Sequence, residues 1–410
     1  MGSNCQKNAR SLPGSVGGVL KVFFLNHETV LGGGEKMLLR FLRSSNREKF
    51  QYELIVPKEG PLIGEAEKIG VKVHLLSLGN ELLAVRRKSS TFSLSRGVAL
   101  MSGVKNLRDY LRVSHPDIVI SNSMKSHVYG SLAMRNGKIP YGWRLHDIID
   151  EKNFGLLQRK LLYSFARNFP RSIAAVSEAV ARPLRANNIQ SDNLCIVYNG
   201  IDVADFIDRE QVAAFRSEVG LSQNAFVVTL PGRIMPSKGH EVVIAAASAI
   251  TKSVPNVRFV FVGDPFYTEF DYKAWLESLI RSYQLDQYFL FVGFQQEMSK
   301  VYEASDVIVQ PSLLPDSFPT VLLEAMASAR VVIASNAGGS SEIVTDGEDG
   351  FIVPAGDAAT LAEKIIRIAA DRSAFTEMRM KARNKIAATF TSSRYVNAME
   401  SWVLNLQAKY

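Results

Sequence analysis

Phe226-Val227-Val228-Thr229-Leu230-Pro231-Gly232-Arg233-Ile234-Met235-Pro236-Ser237-Lys238-Gly239-His240 joins a β-prone apolar run to a glycine-bracketed loop, and a helical pattern over Glu241–Thr251 follows. A short apolar run, a loop and an amphipathic stretch form the repeating unit of a parallel sheet with helical crossovers. Downstream the alternation continues. Strands are predicted at Val257–Val262, Tyr288–Val292, Asp306–Gln310 and Arg330–Ala334, and helices at Tyr272–Tyr283 and Val321–Ala327. Upstream, strands are predicted at Val19–Leu25, Tyr52–Pro57, Val71–Leu76, Asp117–Ser121, Tyr141–Leu145, Ser172–Val176 and Leu194–Tyr198. Helical patterns at Glu35–Leu42, Val104–Val113 and Leu156–Phe165 separate them. The pattern pauses near Asn199–Glu210, where a linker is placed. The fold class expected is therefore α/β, with two Rossmann-like doubly wound domains over 18–200 and 201–385. Ligands of such sheets bind beyond the carboxyl ends of the strands, so a cleft between the two sheets is the expected site. Tyr395, Met399, Trp402 and Leu406 recur at spacings of three and four, so a last helix is expected at roughly Ser393 to Gln407, within a segment 386–410 that packs back on the first domain.

The chain has 410 residues, too many for one ordinary core, and its 47% apolar and 21% charged residues are those of a globular protein. It holds no uninterrupted apolar run long enough for a spanning helix. Residues 1–17 lack an apolar signal core, and Gln6 stands where a myristoylation signal wants Ser or Thr; the segment reads as a disordered tail. Cys5 and Cys195 make neither a disulfide framework nor a metal knuckle, which fits a cytoplasmic protein. Charge is uneven. Residues 1–200 hold 29 Lys/Arg against 15 Asp/Glu, whereas the remainder holds 19 against 25. A basic first half suits an anionic surface or a phosphate-bearing acceptor, although charge runs are usually solvated faces. No aromatic stacking platform or known module supports nucleic-acid binding.

Three loops carry candidate chemistry. Asn26 to Glu35 places Gly32, Gly33 and Gly34 before a helix, where backbone N–H groups can approach an anion; the spacing is neither a dinucleotide fingerprint nor a Walker loop. Arg233 and Lys238 end a glycine-bounded loop, and two cations converging there would neutralise a departing diphosphate. Asp316 and Glu324 lie eight residues apart, one in a loop and one in the next helix. Carboxylates accept hydrogen bonds only, which suits sugar hydroxyls. Ser317, Phe318, Pro319 and Thr320 fill the turn between them, with amides of Phe318 and Thr320 available to oxygens and none from Pro319. His146 follows the strand Tyr141–Leu145, and Asp147 is its natural orienting neighbour.

Together these residues resemble family 4 of the retaining glycosyltransferases, which have the GT-B fold. The likeness spans about residues 20 to 406 and rests on Leu31-Gly32-Gly33-Gly34-Glu35, Leu145-His146-Asp147, Val197-Tyr198-Asn199-Gly200, Gly232-Arg233 with Lys238-Gly239, and Phe261-Val262-Gly263-Asp264. It continues through Val292-Gly293-Phe294, Asp316-Ser317-Phe318-Pro319 with Leu323-Glu324, and Ala337-Gly338-Gly339. The resemblance implies that Arg233 and Lys238 bind the donor diphosphate, aided by Gly33 and Gly34. It implies that Glu324 holds the ribose, that Phe294 lies beside the base through its backbone, and that His146 contacts the sugar. Asp316 stands where the family usually has glutamate, and Pro319 where glycine is frequent. The implied reaction is transfer of a hexose from a UDP-sugar, first choice glucose or glucuronic acid, to a saccharide or lipid-linked acceptor. It needs no metal and no cofactor; the acceptor attacks from the leaving-group face and the departing phosphate takes its proton.

The basic, apolar stretch Ala84–Arg96 is a candidate for an anionic membrane surface, such as the inner face of a cytoplasmic membrane where exopolysaccharide is assembled. A sugar-nucleotide 2-epimerase of the same fold and a non-catalytic sugar-nucleotide-binding subunit are the rival readings. The paired carboxylates and paired cations favour the transferase.

Overall fold

The computed structural model describes residues 18–77, 94–135, 137–190, 193–206, 212–265 and 270–408. The predicted tail 1–17 and the basic stretch from Ala84 to the side chain of Arg96 lie outside the described residues.

Two separate units are present. The first comprises the described residues up to Asn199 together with those from Ser392 on; the second is Gly200–Thr391. In the first, β1 (Leu20–Leu25), β2 (Phe50–Val56), β3 (Lys72–Leu75), β4 (Ile118–Ser121), β5 (Tyr141–Leu145), β6 (Ser172–Ala175) and β7 (Leu194–Ile196) form one sheet. Its order is β3-β2-β1-β4-β5-β6-β7, with every pairing parallel. In the second unit, β8 (Phe226–Pro231), β9 (Val257–Val262), β10 (Phe289–Phe291), β11 (Val307–Gln310), β12 (Val331–Ser335) and β13 (Phe351–Val353) pair in parallel as β10-β9-β8-β11-β12-β13. Helices cover these sheets, so central strands such as β4, β8 and β11 are buried along their whole length. That is why they read as continuous apolar runs rather than alternating ones.

Both sheets reverse their direction of growth beside the first strand, between β1 and β4 and between β8 and β11. The carboxyl ends of those strand pairs are the topological switch points, where diverging loops leave room for a ligand.

The final helix, Ser392–Ala408, completes the first unit's core with Tyr395, Val396, Met399, Trp402, Val403 and Leu406. Burying each of the larger side chains contributes about 1.5–3 kcal/mol. Gly142 in β5 makes that packing possible, because a Cβ there would lie 2.7 Å from Leu406 and 2.9 Å from Trp402. Polar contacts fix the register: Trp402 Nε1 donates to Ser172 Oγ at 3.0 Å and Tyr395 Oη to the Met37 carbonyl at 3.1 Å. The preceding helix is Thr376–Thr389, and the last helix, Ser392–Ala408, lies within a residue of the span expected from sequence.

A difference from the sequence-based expectations arises. β13 has no counterpart among the predicted strands, because three residues at a sheet edge carry too little periodicity to register.

Candidate active site

In the second unit the loops after β8 and β11 are brought together by close backbone approach. Gly239 has φ +75°, and a Cβ there would sit 2.0 Å from the Pro311 carbonyl oxygen. Only glycine permits both the conformation and the contact. The Leu313 N–H donates to the Ser237 carbonyl at 2.9 Å, tying one loop to the other. As a result Lys238 Nζ lies 2.5 Å from Asp316 Oδ2, and Gln310 Nε2, on a residue 1% exposed, lies 3.4 Å from the same oxygen. Asp316 is held from behind as well. Its carbonyl accepts from the Gly339 N–H at 2.7 Å, and a Cβ on Gly338 (φ +78°) would lie 2.0 Å from that carbonyl oxygen. Arg233 is exposed at the other end of the Lys238 loop.

Glu324 is half-buried in the helix Thr320–Ala327, with Leu322, Leu323, Ala325 and Met326 fully packed around it. Its partner is Tyr302, whose Oη donates to Glu324 Oε2 at 2.6 Å. Burial first, and then the Glu324 charge, raise the Tyr302 phenol well above its ordinary pKa. It therefore remains a donor and fixes the orientation of the carboxylate. Phe318 is 4% exposed and packs on Phe390 with ring centroids 5.6 Å apart, so that residue offers a ligand only its backbone. Ser317 and Thr320 are half-buried and Pro319 is buried as the helix cap. Phe294 is 61% exposed just past β10, after Gly293 in a left-handed conformation.

In the first unit, Gly33 and Gly34 open the helix Gly33–Ser44. The expectation of a bare anion-binding turn is modified there: Glu35 Oε2 accepts the Gly32 N–H at 3.1 Å, so the chain's own carboxylate already lies at that helix end. Gly34 has a second use, since a Cβ there would meet the His146 ring at 3.5 Å. The imidazole thus lies against bare backbone. His146 Nε2 is 3.0 Å from Asn122 Oδ1, a partner that strand spacing gives no means to find. Burial, and next the neighbouring Arg144 guanidinium, push the His146 imidazole down to about 3. It is neutral at physiological pH.

Tyr302, Gln310, Asn122 and Asn26 are the residues that sequence reasoning passes over. Asn122 acts across the sheet, Tyr302 from a neighbouring helix, and Gln310 and Asn26 from strand ends, and sequence spacing marks none of these contacts. Among the described residues no cluster of three or more His, Cys, Asp or Glu is placed to hold a metal ion, and no helix is long and apolar enough to cross a membrane.

A cation–carboxylate pair at the switch point of the second unit, followed by a half-buried carboxylate on the next helix, is what a nucleotide-sugar-dependent glycosyltransferase needs, and comparison with known proteins bears on this directly. Residues 31–205 match the profile described as Glycosyltransferase Family 4, and residues 211–387 that of Glycosyl transferases group 1. The UDP-Gal:alpha-D-GlcNAc-diphosphoundecaprenol alpha-1,3-galactosyltransferase of Escherichia coli is 23% identical over 403 residues, covering 94% of this chain and 97% of that protein. The D-inositol 3-phosphate glycosyltransferase of Streptomyces scabiei is 28% identical, over 61% of this chain and 59% of its own. Among solved structures, HepE of Anabaena in complex with UDP-glucose superimposes with a TM-score of 0.83 at 22% identity, covering 94% of this chain and all of that one. The chain belongs to glycosyltransferase family 4 and has the GT-B fold. It transfers a sugar from a nucleotide-sugar donor.

Proposed function

We propose that this enzyme moves a hexose from a UDP-sugar to a lipid-linked or saccharide acceptor with retention of anomeric configuration and without a metal ion. The observation that carries the reading is the Lys238–Asp316 pair at the β8/β11 switch point, with Glu324 held nearby in sequence on the helix that Asp316 introduces. Lys238 and Arg233 supply positive charge to the diphosphate as the sugar–phosphate bond breaks, and Gly33 and Gly34 assist on the family resemblance. Glu324, oriented by Tyr302, accepts from the ribose hydroxyls. The turn from Ser317 to Thr320 contributes backbone groups, and the backbone at Phe294 lies beside the base. His146 is assigned the sugar contact. Asp316 is one methylene shorter than the usual glutamate and already binds Lys238, so its reach toward the sugar is the feature that tunes donor choice.

Two relatives support UDP as carrier: one uses UDP-Gal, and another was crystallised with UDP-glucose. Glucose, glucuronic acid and galactose are therefore the donors to test first. Incubating the protein with UDP- and GDP-sugars should raise its melting temperature with at least one UDP-sugar and release UDP slowly from it. No response to any member contradicts the reading. Release of an epimerised sugar in place of transfer would favour the epimerase.

The diphosphoundecaprenol acceptor named for the E. coli relative supports a membrane-bound acceptor here. Leu156, Leu157 and Leu161 are 62%, 80% and 49% exposed on the helix Leu156–Asn168, which also carries Arg159, Lys160 and Arg167 and no acidic residue. Apolar and basic groups on one exposed helix suit a peripheral position on an anionic leaflet at the cytoplasmic face. Vesicles containing phosphatidylglycerol should pull down the protein at low salt, and Leu157→Glu should weaken the capture several-fold. Equal capture by neutral vesicles would contradict it.

A further inference from the structure

Asn26, Asn122 and His146 are each the first residue past the carboxyl end of a strand, and the strands β1, β4 and β5 are neighbours in the sheet. Their side chains form a continuous hydrogen-bonded row whose direction can be read from its anchored end. Asn26 Nδ2 lies 2.5 Å from the Glu28 carbonyl oxygen and 3.2 Å from Glu35 Oε1. A backbone carbonyl can only accept, so the amide nitrogen of Asn26 must point there and its oxygen must point away. Asn122 Nδ2 then donates to Asn26 Oδ1 at 3.0 Å, which turns Asn122 Oδ1 toward His146. Nε2 of His146, 3.0 Å from that oxygen, must carry the proton. Asn26 is 1% and Asn122 2% exposed, so solvent offers no alternative partners.

We infer that Asn122 and Asn26 are positioning residues that lock His146 as the Nε2–H tautomer, leaving Nδ1 as the acceptor toward a sugar hydroxyl. A neutral imidazole has one donor and one acceptor, and the second is defined by what the first is bound to. The Gly34 backbone against the ring prevents the imidazole from tilting out of the row. Glu35 joins the row to the N-terminus of the helix Gly33–Ser44 through the Gly32 N–H, so the histidine is registered to a rigid element rather than to a loop.

The functional part of the inference rests on His146 serving the transfer reaction; the tautomer does not. The protein has six histidines, so ¹⁵N-histidine labelling gives few resonances, and His146→Gln identifies the one of interest. Long-range ¹H–¹⁵N spectra of the wild type at pH 7.5 should show His146 protonated on Nε2. An Nδ1–H tautomer overturns the inference without any need of a variant. In Asn122→Ala, the tautomer signal should become mixed. UDP release from the sugar nucleotide chosen by thermal shift should fall about 10–100-fold in kcat, with KM within about twofold. Unchanged kcat and tautomer in a folded Asn122→Ala overturn the positioning role. If instead His146→Gln keeps full turnover while the wild type shows Nε2–H, the lock stands and the assignment of His146 to the reaction fails.

Discussion

Glu324→Ala should weaken UDP-sugar binding about 100-fold or more. Two ribose hydroxyls donating to a charged carboxylate are worth about 1.5–3 kcal/mol each, and truncation removes both acceptors at once. The same substitution strands the Tyr302 hydroxyl, which is buried and bonded to Glu324 Oε2 at 2.6 Å. A cost of about 1–3 kcal/mol in stability is expected from that orphaned donor. Glu324→Gln separates the two effects, because its amide oxygen still accepts from Tyr302 while the charge is gone. Asp316→Ala should reduce affinity far less, since Asp316 binds Lys238 and not the nucleoside on this account. Calorimetry with UDP reads all three; equal affinities for the Glu324 and Asp316 variants would refute the roles given to them.

The second large effect is expected at Lys238. Lys238→Ala should lower kcat for UDP release about 100–1,000-fold, the range found when one preorganised donor to a developing anion is removed. Binding should suffer less than turnover, because charge on the diphosphate grows as the bond to the sugar breaks. Lys238→Arg should recover little. The Lys238 loop is pinned by Gly239 against Pro311 and by the Ser237 carbonyl against Leu313, so it cannot shift to bring a longer, planar guanidinium to the place where the compact ammonium meets Asp316 Oδ2 at 2.5 Å. A Lys238→Ala enzyme with wild-type kcat would remove the electrostatic argument altogether.

Much of the fold is legible in the sequence because fully covered parallel strands leave unbroken apolar runs. Tyr141–Leu145 and Val257–Val262 are found as predicted, and most other strands are displaced by one or two residues. What escapes is short or shielded by polarity. β13 is three residues long, and the helix Met124–Met134 carries His127, Ser126 and Ser131 on its buried side, so it has little apolar stripe to detect. At the site, charged residues in loops past strand ends announce themselves: Arg233 and Lys238 in a glycine-bounded loop and Asp316 between two prolines all do. The residues that orient them do not. Tyr302 looks like any core aromatic, and Asn26 and Asn122 look like ordinary loop polars. Their significance comes from strand order, since β1, β4 and β5 are adjacent in the sheet but far apart along the chain. Pairing across a sheet is not written in local periodicity.

The central claim is that the donor nucleotide is held at the switch point of the second unit, between the loops after β8 and β11. A crystal structure of the protein with UDP tests it most directly. The diphosphate should lie within hydrogen-bonding distance of Lys238 Nζ and the Arg233 guanidinium, with both ribose hydroxyls on Glu324. UDP bound elsewhere, with Lys238 and Glu324 keeping only Asp316 and Tyr302 as partners, would contradict it.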